Sequence, residues 1–490
     1  MQTNRPLTVV ALMLAMFMAA MEMTVVSTAM PTAVADLGGI SLYSWVFTAY
    51  MLTSTVTVPI YGKLADLYGR KPVILFGIVL FLIGSMASGQ AHTMTQLIAF
   101  RALQGLGAGA MQPIALTIIG DIFTLEQRAK MQGVFGAVWG LAGLIGPLLG
   151  GVIVKLLSWR WIFYVNVPFG LLSGAILVFS LRETVELKAR KLDVMGALVL
   201  SIAVIAMLIG AQGFHPIALL SAAACALVLF VVVERRAEDP MLPLDLFTTR
   251  IMAVASATSA LTGGAMIALT TYVPLFVQGV SGGSPTDAGL AIAPMAIGWP
   301  IASAISGRMI PRYGFRVFVR LGLLVTTLAS LALPLTMGSD VHPWTLRAIS
   351  ATFGVGMGLA NTALIIAVQT SVSWKQRGVA TASMMFFRTI GSTLAVGAMG
   401  GVLAAAFAGA VSDELANKIL GPERRTIDPG LLRGIAGTLQ GGLSTVFWII
   451  AALCVVAFVI SLFFPNVPAS EASLAPAQEV APPAAEASGG

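Results

Sequence analysis

Residues 62–71 read GKLADLYGRK, and residues 307–316 read GRMIPRYGFR. The two segments share glycine at their first and eighth positions, and they lie 245 residues apart. Two further matches keep nearly this offset: Arg101-Ala102 with Arg347-Ala348, and residues 126–128 with residues 375–377. The near-constant offset predicts two related halves. Membrane transporters built from two parallel repeats bind substrate at the junction of the halves, so the repeat favours a transporter over a receptor or a membrane enzyme.

The composition places these repeats in a membrane. Apolar residues make up 57% of the 490 residues and charged residues only 10%, against roughly 45–50% and about 25% in soluble domains. A membrane-spanning helix needs about 20 apolar residues. We count fourteen apolar runs: 7–30, 44–62, 72–90, 95–119, 131–154, 161–181, 193–211, 216–233, 252–277, 288–307, 317–337, 344–367, 378–408 and 440–464. The sequence therefore predicts an all-α polytopic membrane protein with 14 transmembrane helices.

Basic residues predict the orientation of these spans. With the N-terminus inside, nineteen of the 28 Lys and Arg residues fall in inner loops and six in outer loops. This asymmetry follows the positive-inside rule and places both termini in the cytoplasm. The net charge of +7 then reflects topology, so we expect the lipid bilayer as a partner and no nucleic acid.

The repeat divides the chain into four predicted parts. Residues 1–185 form an N-terminal six-helix bundle, and residues 241–464 form the second six-helix bundle. Residues 186–240 supply two additional transmembrane helices between the repeats. Residues 465–490 are rich in Ala, Pro and Glu, which is typical of a disordered tail and here predicts a cytoplasmic one.

Glu22 is the first candidate functional residue, because it is the single acid among 21 that lies well inside a predicted span. Keeping a carboxylate ionised in the membrane interior is costly, so we expect Glu22 to carry a proton and also to serve as a counter-charge for cationic drugs. Arg101 in the fourth span is its expected partner, since the two residues lie within about 3 Å of the same depth at 1.5 Å rise per residue. The alternatives are a Glu22 satisfied by interhelical hydrogen bonds and an Arg101 that extends to the outer interface.

The motifs resemble those of the major facilitator superfamily, and in particular its fourteen-helix drug:proton antiporter branch. The segment 62–71 is similar to the superfamily's loop motif, and Leu97–Ala110 is similar to the l-x-x-R-x-x-q-G motif of the fourth span. Residues 142–151 resemble the g-x-x-x-G-P-x-x-G-G antiporter motif, with Ala142 replacing the first glycine. Residues 21–31 resemble the first-span motif, with Glu22 in place of Asp and Ser27 in place of Asn. The segments 159–168 and 388–397 are also similar to this branch.

The resemblance implies roles for two of these segments. The loop residues Gly62, Asp66, Gly69, Arg70 and Lys71 would form a conformational latch at the inner interface. The antiporter motif, with Gly143, Gly146, Pro147, Gly150 and Gly151, would pack against the tenth span (288–307) and seal the inner half. The alternative for these glycines is ordinary close packing of membrane helices.

Several polar and aromatic residues within the spans are candidates for the substrate cavity. They are Tyr50, Gln112, Trp139, Tyr272, Trp299, Asn361, Phe387 and Arg388. Arg388 either binds a backbone or substrate acceptor or is a buried structural residue. The sequence contains no nucleotide-binding G-x-x-x-x-G-K-[ST] loop, and its three histidines do not cluster. We therefore expect no catalytic residues, no metal and no cofactor, with the proton gradient as the energy source.

Together these features predict a monomeric, proton-coupled antiporter in the bacterial inner membrane. It would export drug-like lipophilic or cationic small molecules by alternating access, and it would not be an enzyme. The alternative within the same superfamily is an exporter of one specific metabolite, such as an amino acid, a siderophore or a lipid.

Overall fold

The computed structural model of the chain describes residues 3–123, 125–183, 194–211, 214–237, 244–338, 341–372, 377–407 and 428–466. Two short 3₁₀ turns, Ile40–Leu42 and Leu244–Thr248, join α-helices in these ranges. The α-helices are α1 (Arg5–Leu37), α2 (Tyr43–Tyr68), α3 (Arg70–Gly89), α4 (Met94–Ile122), α5 (Leu125–Leu156), α6 (Trp161–Tyr164), α7 (Asn166–Ser180), α8 (Val194–Ala211), α9 (Pro216–Glu234), α10 (Arg250–Gly279), α11 (Pro285–Tyr313), α12 (Phe315–Thr336), α13 (Pro343–Thr370), α14 (Arg377–Phe407) and α15 (Pro429–Ser461).

Among the described residues, twelve helical segments are long and apolar enough to cross a membrane. The chain is therefore an all-α, multi-pass membrane protein. The helix α2 and the shorter apolar stretch Met195–Ala211 of α8 do not belong to these twelve.

The helices begin and end where local chemistry requires. The side chain of Asn4 accepts a hydrogen bond from the Leu7 N–H at the start of α1, and Ser284 and Asp287 cap α11 reciprocally. Such caps satisfy N–H groups that lack a partner within the helix. Gly69 (φ 94°) separates α2 from α3, and Gly314 (φ 77°) separates α11 from α12. Only glycine adopts these backbone angles without strain, which accounts for the glycine shared by the two motifs.

Two sequence predictions about boundaries change. The predicted run 161–181 is two helices, because α6 ends at Tyr164 and α7 begins at Asn166. The last predicted run, 440–464, begins too late, since α15 already starts at Pro429 after the capping residue Asp428. Residues 409–427, and most of the predicted tail 465–490, lie outside the described residues. The domain boundaries near 185 and 240 also lie outside them and stay predictions.

Hydrogen bonds define the two ends of the helices. The N–H of Asn4 donates to the Ser180 carbonyl, which places the start of α1 beside the end of α7. We call this end the terminal side. Arg160 donates to the carboxylate of Asp36 and to the Ala91 carbonyl, which joins the opposite ends of α1, α3 and α6. We call that end the far side.

Helices from the two predicted halves meet at the far side. The Tyr43 hydroxyl of α2 donates to the Thr271 carbonyl of α10 at 2.8 Å. Gln278 of α10 donates to the Thr28 carbonyl of α1 at 3.0 Å. Within the second half, the Tyr272 hydroxyl donates to the Val396 carbonyl of α14 at 2.9 Å. These contacts close the bundle between its far side and the middle of the membrane-spanning helices.

Candidate functional site

Glu22 and Arg101 form an ion pair between α1 and α4. Each side chain is 1% exposed. Arg101 also donates to Gln104 Oε1 at 2.7 Å and to the Val46 carbonyl at 3.3 Å. Its guanidinium carbon lies 4.3 Å from the centre of the Tyr50 ring. The expected partner of Glu22 is thus the observed one, and the alternative of an Arg101 extended to the interface does not describe this structure.

Asn166 completes the surroundings of the carboxylate. Its Nδ2 donates to the second oxygen of Glu22 and, at 3.0 Å, to Ser85 Oγ of α3. The Ser85 hydroxyl donates to the Phe163 carbonyl at 2.8 Å, in the last turn of α6. The break between α6 and α7 therefore lies beside Glu22, and it brings α3, α6 and α7 to the cluster that α1 and α4 form.

Two polar atoms of this cluster have no hydrogen-bond partner among the residues that the structure describes. They are Asn166 Oδ1 and Gln104 Nε2, and both are buried. An unmatched buried polar atom is costly. Asn166 Oδ1 is an acceptor within the same amide that donates to Glu22, so rotation of that amide would let it accept a hydrogen bond from a protonated Glu22. The cluster thus has donors and acceptors for both protonation states of the carboxyl group.

The glycines of the antiporter motif place α5 between α1 and α11. The Thr24 hydroxyl of α1 donates to the Ala142 carbonyl at 3.3 Å, and a Cβ at Gly146 would collide with Thr24. On the other face of α5, a Cβ at Gly151 would lie 2.7 Å from Thr286 Cα, and one at Gly143 would lie 3.1 Å from Ala296 Cβ. The glycines therefore let α5 approach both neighbours.

This packing corrects one expectation about the closed side. We expected residues 142–151 and the tenth span to seal the inner half. Thr286 lies in the first turn of α11 and Gly151 near the end of α5, so the contact runs from the far side to the middle of both helices. It continues to Gly140, where a Cβ would lie 2.9 Å from Pro300 Cγ. The direction of α5, from the terminal side to the far side, places its motif in the far half.

The predicted latch segment connects α2, α3 and the end of α7 at the terminal side. The backbone N–H groups of Arg70 and Lys71 donate to the two oxygens of Glu183, at 2.8 and 2.9 Å. The Lys71 ammonium donates to the carbonyls of Val178 and Leu181, at 2.7 and 2.8 Å. Gly62 lies within α2, and the side chain of Asp66 lies outside the described residues. Glu183 thus caps α3, where a carboxylate is favourable.

Sequence comparisons identify the family. The profile described as Major Facilitator Superfamily matches residues 12–396. The chain belongs to this superfamily. The Multidrug transporter protein MdtP of Bacillus subtilis (strain 168) is 38% identical over 423 residues, which are 84% of this chain and 78% of that protein. Multidrug resistance protein 3 of the same organism is 38% identical over 425 residues, 84% of this chain and 82% of that protein.

Solved structures agree with this membership at the level of the fold. A bacterial homologue of the human lysosomal transporter Spinster, in an inward-facing and unoccupied conformation, superposes with a TM-score of 0.65 at 17% identity, covering 95% of this chain and 98% of that chain. A D-xylose-proton symporter gives a TM-score of 0.65 at 12% identity, covering 95% and 99%. The superfamily and these relatives are transporters and not enzymes.

The candidate cavity residues of this superfamily member fall into different environments. Tyr272 is fully buried in the far-side closure, and Tyr50 is buried against Arg101. Gln112 and Trp139 are exposed, whereas Trp299, Asn361, Phe387 and Arg388 are partly buried. The Phe387 ring lies 5.2 Å from that of Phe247. Among these eight residues, the structure pairs Arg388 with Trp299, whose ring centre lies 5.3 Å from the guanidinium carbon.

The sequence analysis missed three site residues, namely Asn166, Ser85 and Glu183. Asn166 is a strongly polar residue inside an apolar run, which is a usable signal, since such residues are commonly functional in membranes. Ser85 gives no such signal because serine is common in membrane helices. Glu183 follows the sixth run and resembles any loop acid until the start of α3 is placed beside it.

Proposed function

We propose that the chain is a proton-coupled antiporter that exports drug-like lipophilic or cationic compounds by alternating access. The observation that carries the proposal is the buried ion pair of Glu22 and Arg101, with Asn166 on the second carboxylate oxygen. Burial in the membrane disfavours the charged form of this carboxylate, whereas the neighbouring arginine favours it. Because the two effects oppose each other, the carboxylate can serve as a proton site. The names of the two Bacillus subtilis relatives support drugs as the substrate class.

Glu22 acts in this proposal as the proton carrier and not as a standing counter-charge for the drug. Its two oxygens are occupied by Arg101 and Asn166, and its side chain is sealed from solvent. A cation would first have to displace Arg101. Protonation, in contrast, removes the charge from Glu22 and leaves Arg101 without its counter-ion, which costs about 3–5 kcal/mol when a buried pair loses one partner.

The neighbouring contacts would carry this change to the junction of the halves. Thr24 and Thr28 follow Glu22 on α1, and they pack against Gly146 and Gly150 of α5. The next residue, Gly151, packs against α11. A shift of α1 on protonation is therefore transmitted through α5 to the second half, whose far-side contacts must open for release.

The proposal includes the arrangement in the membrane. We propose that α2 and α8 also span the bilayer, which gives the fourteen spans of the drug:proton antiporter branch with two extra helices, α8 and α9, between six-helix repeats. The basic inner loops support a plasma-membrane location with both termini in the cytoplasm. We further propose a monomer that binds its substrate and protons and needs no cofactor.

Reconstitution into liposomes tests the coupling. Addition of a monocationic lipophilic dye to wild-type proteoliposomes with an acidic interior should release protons and accumulate dye. Collapse of the pH gradient by a protonophore before the addition should abolish the dye accumulation. Glu22→Gln should abolish both fluxes. Asp36→Asn is the matched control, because Asp36 is on the same helix but half exposed and paired with Arg160 at 2.8 Å. Dye accumulation without proton movement in the wild type would show that export is not proton-coupled.

A further inference from the structure

Arg388 is a cation in the middle of α14 that has no acidic partner among the described residues. Its Nη2 lies 3.5 Å from the sulfur of Met266, and its guanidinium contacts the ring of Trp299. Within the described part of the chain it forms no ion pair and no hydrogen bond to an oxygen. Arg101, by comparison, reaches a carboxylate, an amide oxygen and a backbone carbonyl. Arg388 therefore holds most of its five N–H donors without an acceptor from the described protein.

The packing of α10 and α11 around Arg388 leaves room for its side chain and fixes its position. A Cβ at Gly263 of α10 would lie 2.6 Å from Arg388 Cγ, so the glycine makes room for the arginine stem. The guanidinium then extends past α10 to Trp299 of α11. Pro300, next to Trp299, packs against Gly140 of α5, so the pair borders the junction of the helices α5 and α11.

The pair has the chemistry of a binding site for an aromatic acid. A guanidinium binds a carboxylate through two parallel hydrogen bonds, and it does so while its face rests on an aromatic ring. Trp299 offers an apolar surface to the rest of such a molecule. An interior arginine is too costly to maintain in a membrane without an acceptor, and its position in the middle of α14 is too deep for extension to an interface.

We propose that Arg388 and Trp299 form an anion-binding subsite for aromatic amphiphiles that carry a carboxylate. The transporter would thus export zwitterionic and acidic aromatic compounds in addition to neutral and cationic ones. This inference rests on the proposed export function and names a substrate class for it. In this arrangement Glu22 binds the proton, and Arg388 binds the acidic group of the substrate.

Matched pairs of aromatic quinolone carboxylic acids and their methyl esters test the subsite, because each pair differs in one negative charge. Transport of both members is measured in proteoliposomes of wild type, Arg388→Gln, Arg388→Lys and Arg347→Gln. The last variant is the matched control, since Arg347 also contacts a tryptophan (Trp344, 4.8 Å) but lies near the start of α13. We expect Arg388→Gln to lower transport of the acid by about tenfold relative to the ester, the usual weight of a charge-assisted hydrogen bond. Arg388→Lys should lower it less, and Arg347→Gln should leave the ratio of acid to ester unchanged.

Each other result overturns the inference. An unchanged ratio of acid to ester in Arg388→Gln, or equal losses of both compounds in the Gln and Lys variants, would assign Arg388 a structural role. If Arg388→Gln does not insert, the ratio in Arg388→Lys decides in the same way. Wild-type transport of the ester but not of the acid would overturn the subsite alone, whereas transport of neither compound, together with no export of the monocationic dye, would contradict the export function. In that case binding of the acid to purified protein, followed by tryptophan fluorescence, still tests the subsite: binding weakened by Arg388→Gln supports it, and unchanged binding refutes it.

Discussion

The substitutions Glu22→Gln and Arg101→Gln should differ in their cost to stability although they remove the two ends of one ion pair. Glu22→Gln leaves the guanidinium of Arg101 buried at 1% exposure without a counter-charge, and arginine cannot lose its proton in a protein. Arg101→Gln leaves a carboxyl group that can take up a proton and become neutral. We therefore expect Glu22→Gln to be the more destabilising variant, and the double variant to recover most of the loss.

The structure sets the size of this difference. Removing one partner of a buried ion pair costs about 3–5 kcal/mol. A bundle of about 180 residues loses about 2–4 °C in melting temperature per kcal/mol, so Glu22→Gln should melt at least about 6 °C below the wild type. The double variant contains no buried charge at this point, and Gln104 and Asn166 can hydrogen-bond to the new amides. The double variant should therefore regain at least about half of the melting temperature that Glu22→Gln loses.

Thermal unfolding of the purified variants in detergent measures the stability, and dye export driven by a pH gradient measures the coupling. The double variant should be stable and uncoupled, which separates the two roles of the pair. Asp36→Asn serves as the control, since the side chain of Asp36 is half exposed and ion pairs open to solvent contribute little. Equal melting temperatures of wild type and Glu22→Gln, or no recovery in the double variant, would refute the reasoning.

Two further changes follow from the contacts, and a third, at Asp66, follows from the resemblance of residues 62–71 to the superfamily's loop motif. Asn166→Leu removes a donor to the Glu22 carboxylate, so stability should fall by about 1.5–3 kcal/mol and proton-driven export should weaken; wild-type melting and export would contradict this. Gly151→Ala should impair export and stability by overpacking of about 1–3 kcal/mol against Thr286, whereas Gly143→Ala should be tolerated; equal effects in melting and export assays would contradict the measured spacing of α5 and α11. Asp66→Asn should slow transport with little loss of substrate binding, and a large fall in affinity at normal turnover would argue against a latch.

The position of the helices and the pairing of Glu22 with Arg101 could both be derived from sequence. Apolar runs marked the helices because burial in lipid requires them. The pair could be found because depth along a helix follows from residue count, and because Glu22 had few possible partners at its depth. The function of the pair stays a prediction, since a contact alone does not show a proton transfer.

The rest of the site depends on which helices become neighbours, and local patterns do not contain that information. Asn166 reaches Glu22 only because α6 ends at Tyr164 and α7 begins beside α1 and α3. The sequence also could not show on which side of the membrane-spanning bundle α5 and α11 pack together. The glycines of α5 predicted close packing, but only the placement of Gly151 against Thr286 shows that the contact lies in the far half. That Arg388 has no acidic partner among the described residues likewise becomes visible only in three dimensions.

The energetic scale of the Glu22 cluster suits a switch between two conformations. Reversing a two-state population from 1:99 to 99:1 takes about 5.5 kcal/mol. Protonation of Glu22 removes one partner of a buried ion pair, a change of about 3–5 kcal/mol, and substrate binding can supply the remainder. A more exposed pair would contribute too little, since surface pairs are worth about 0–1 kcal/mol. Full burial of Glu22 and Arg101 is therefore what gives one proton enough free energy to shift the helices around α5, and export should depend on the proton only while that burial is preserved.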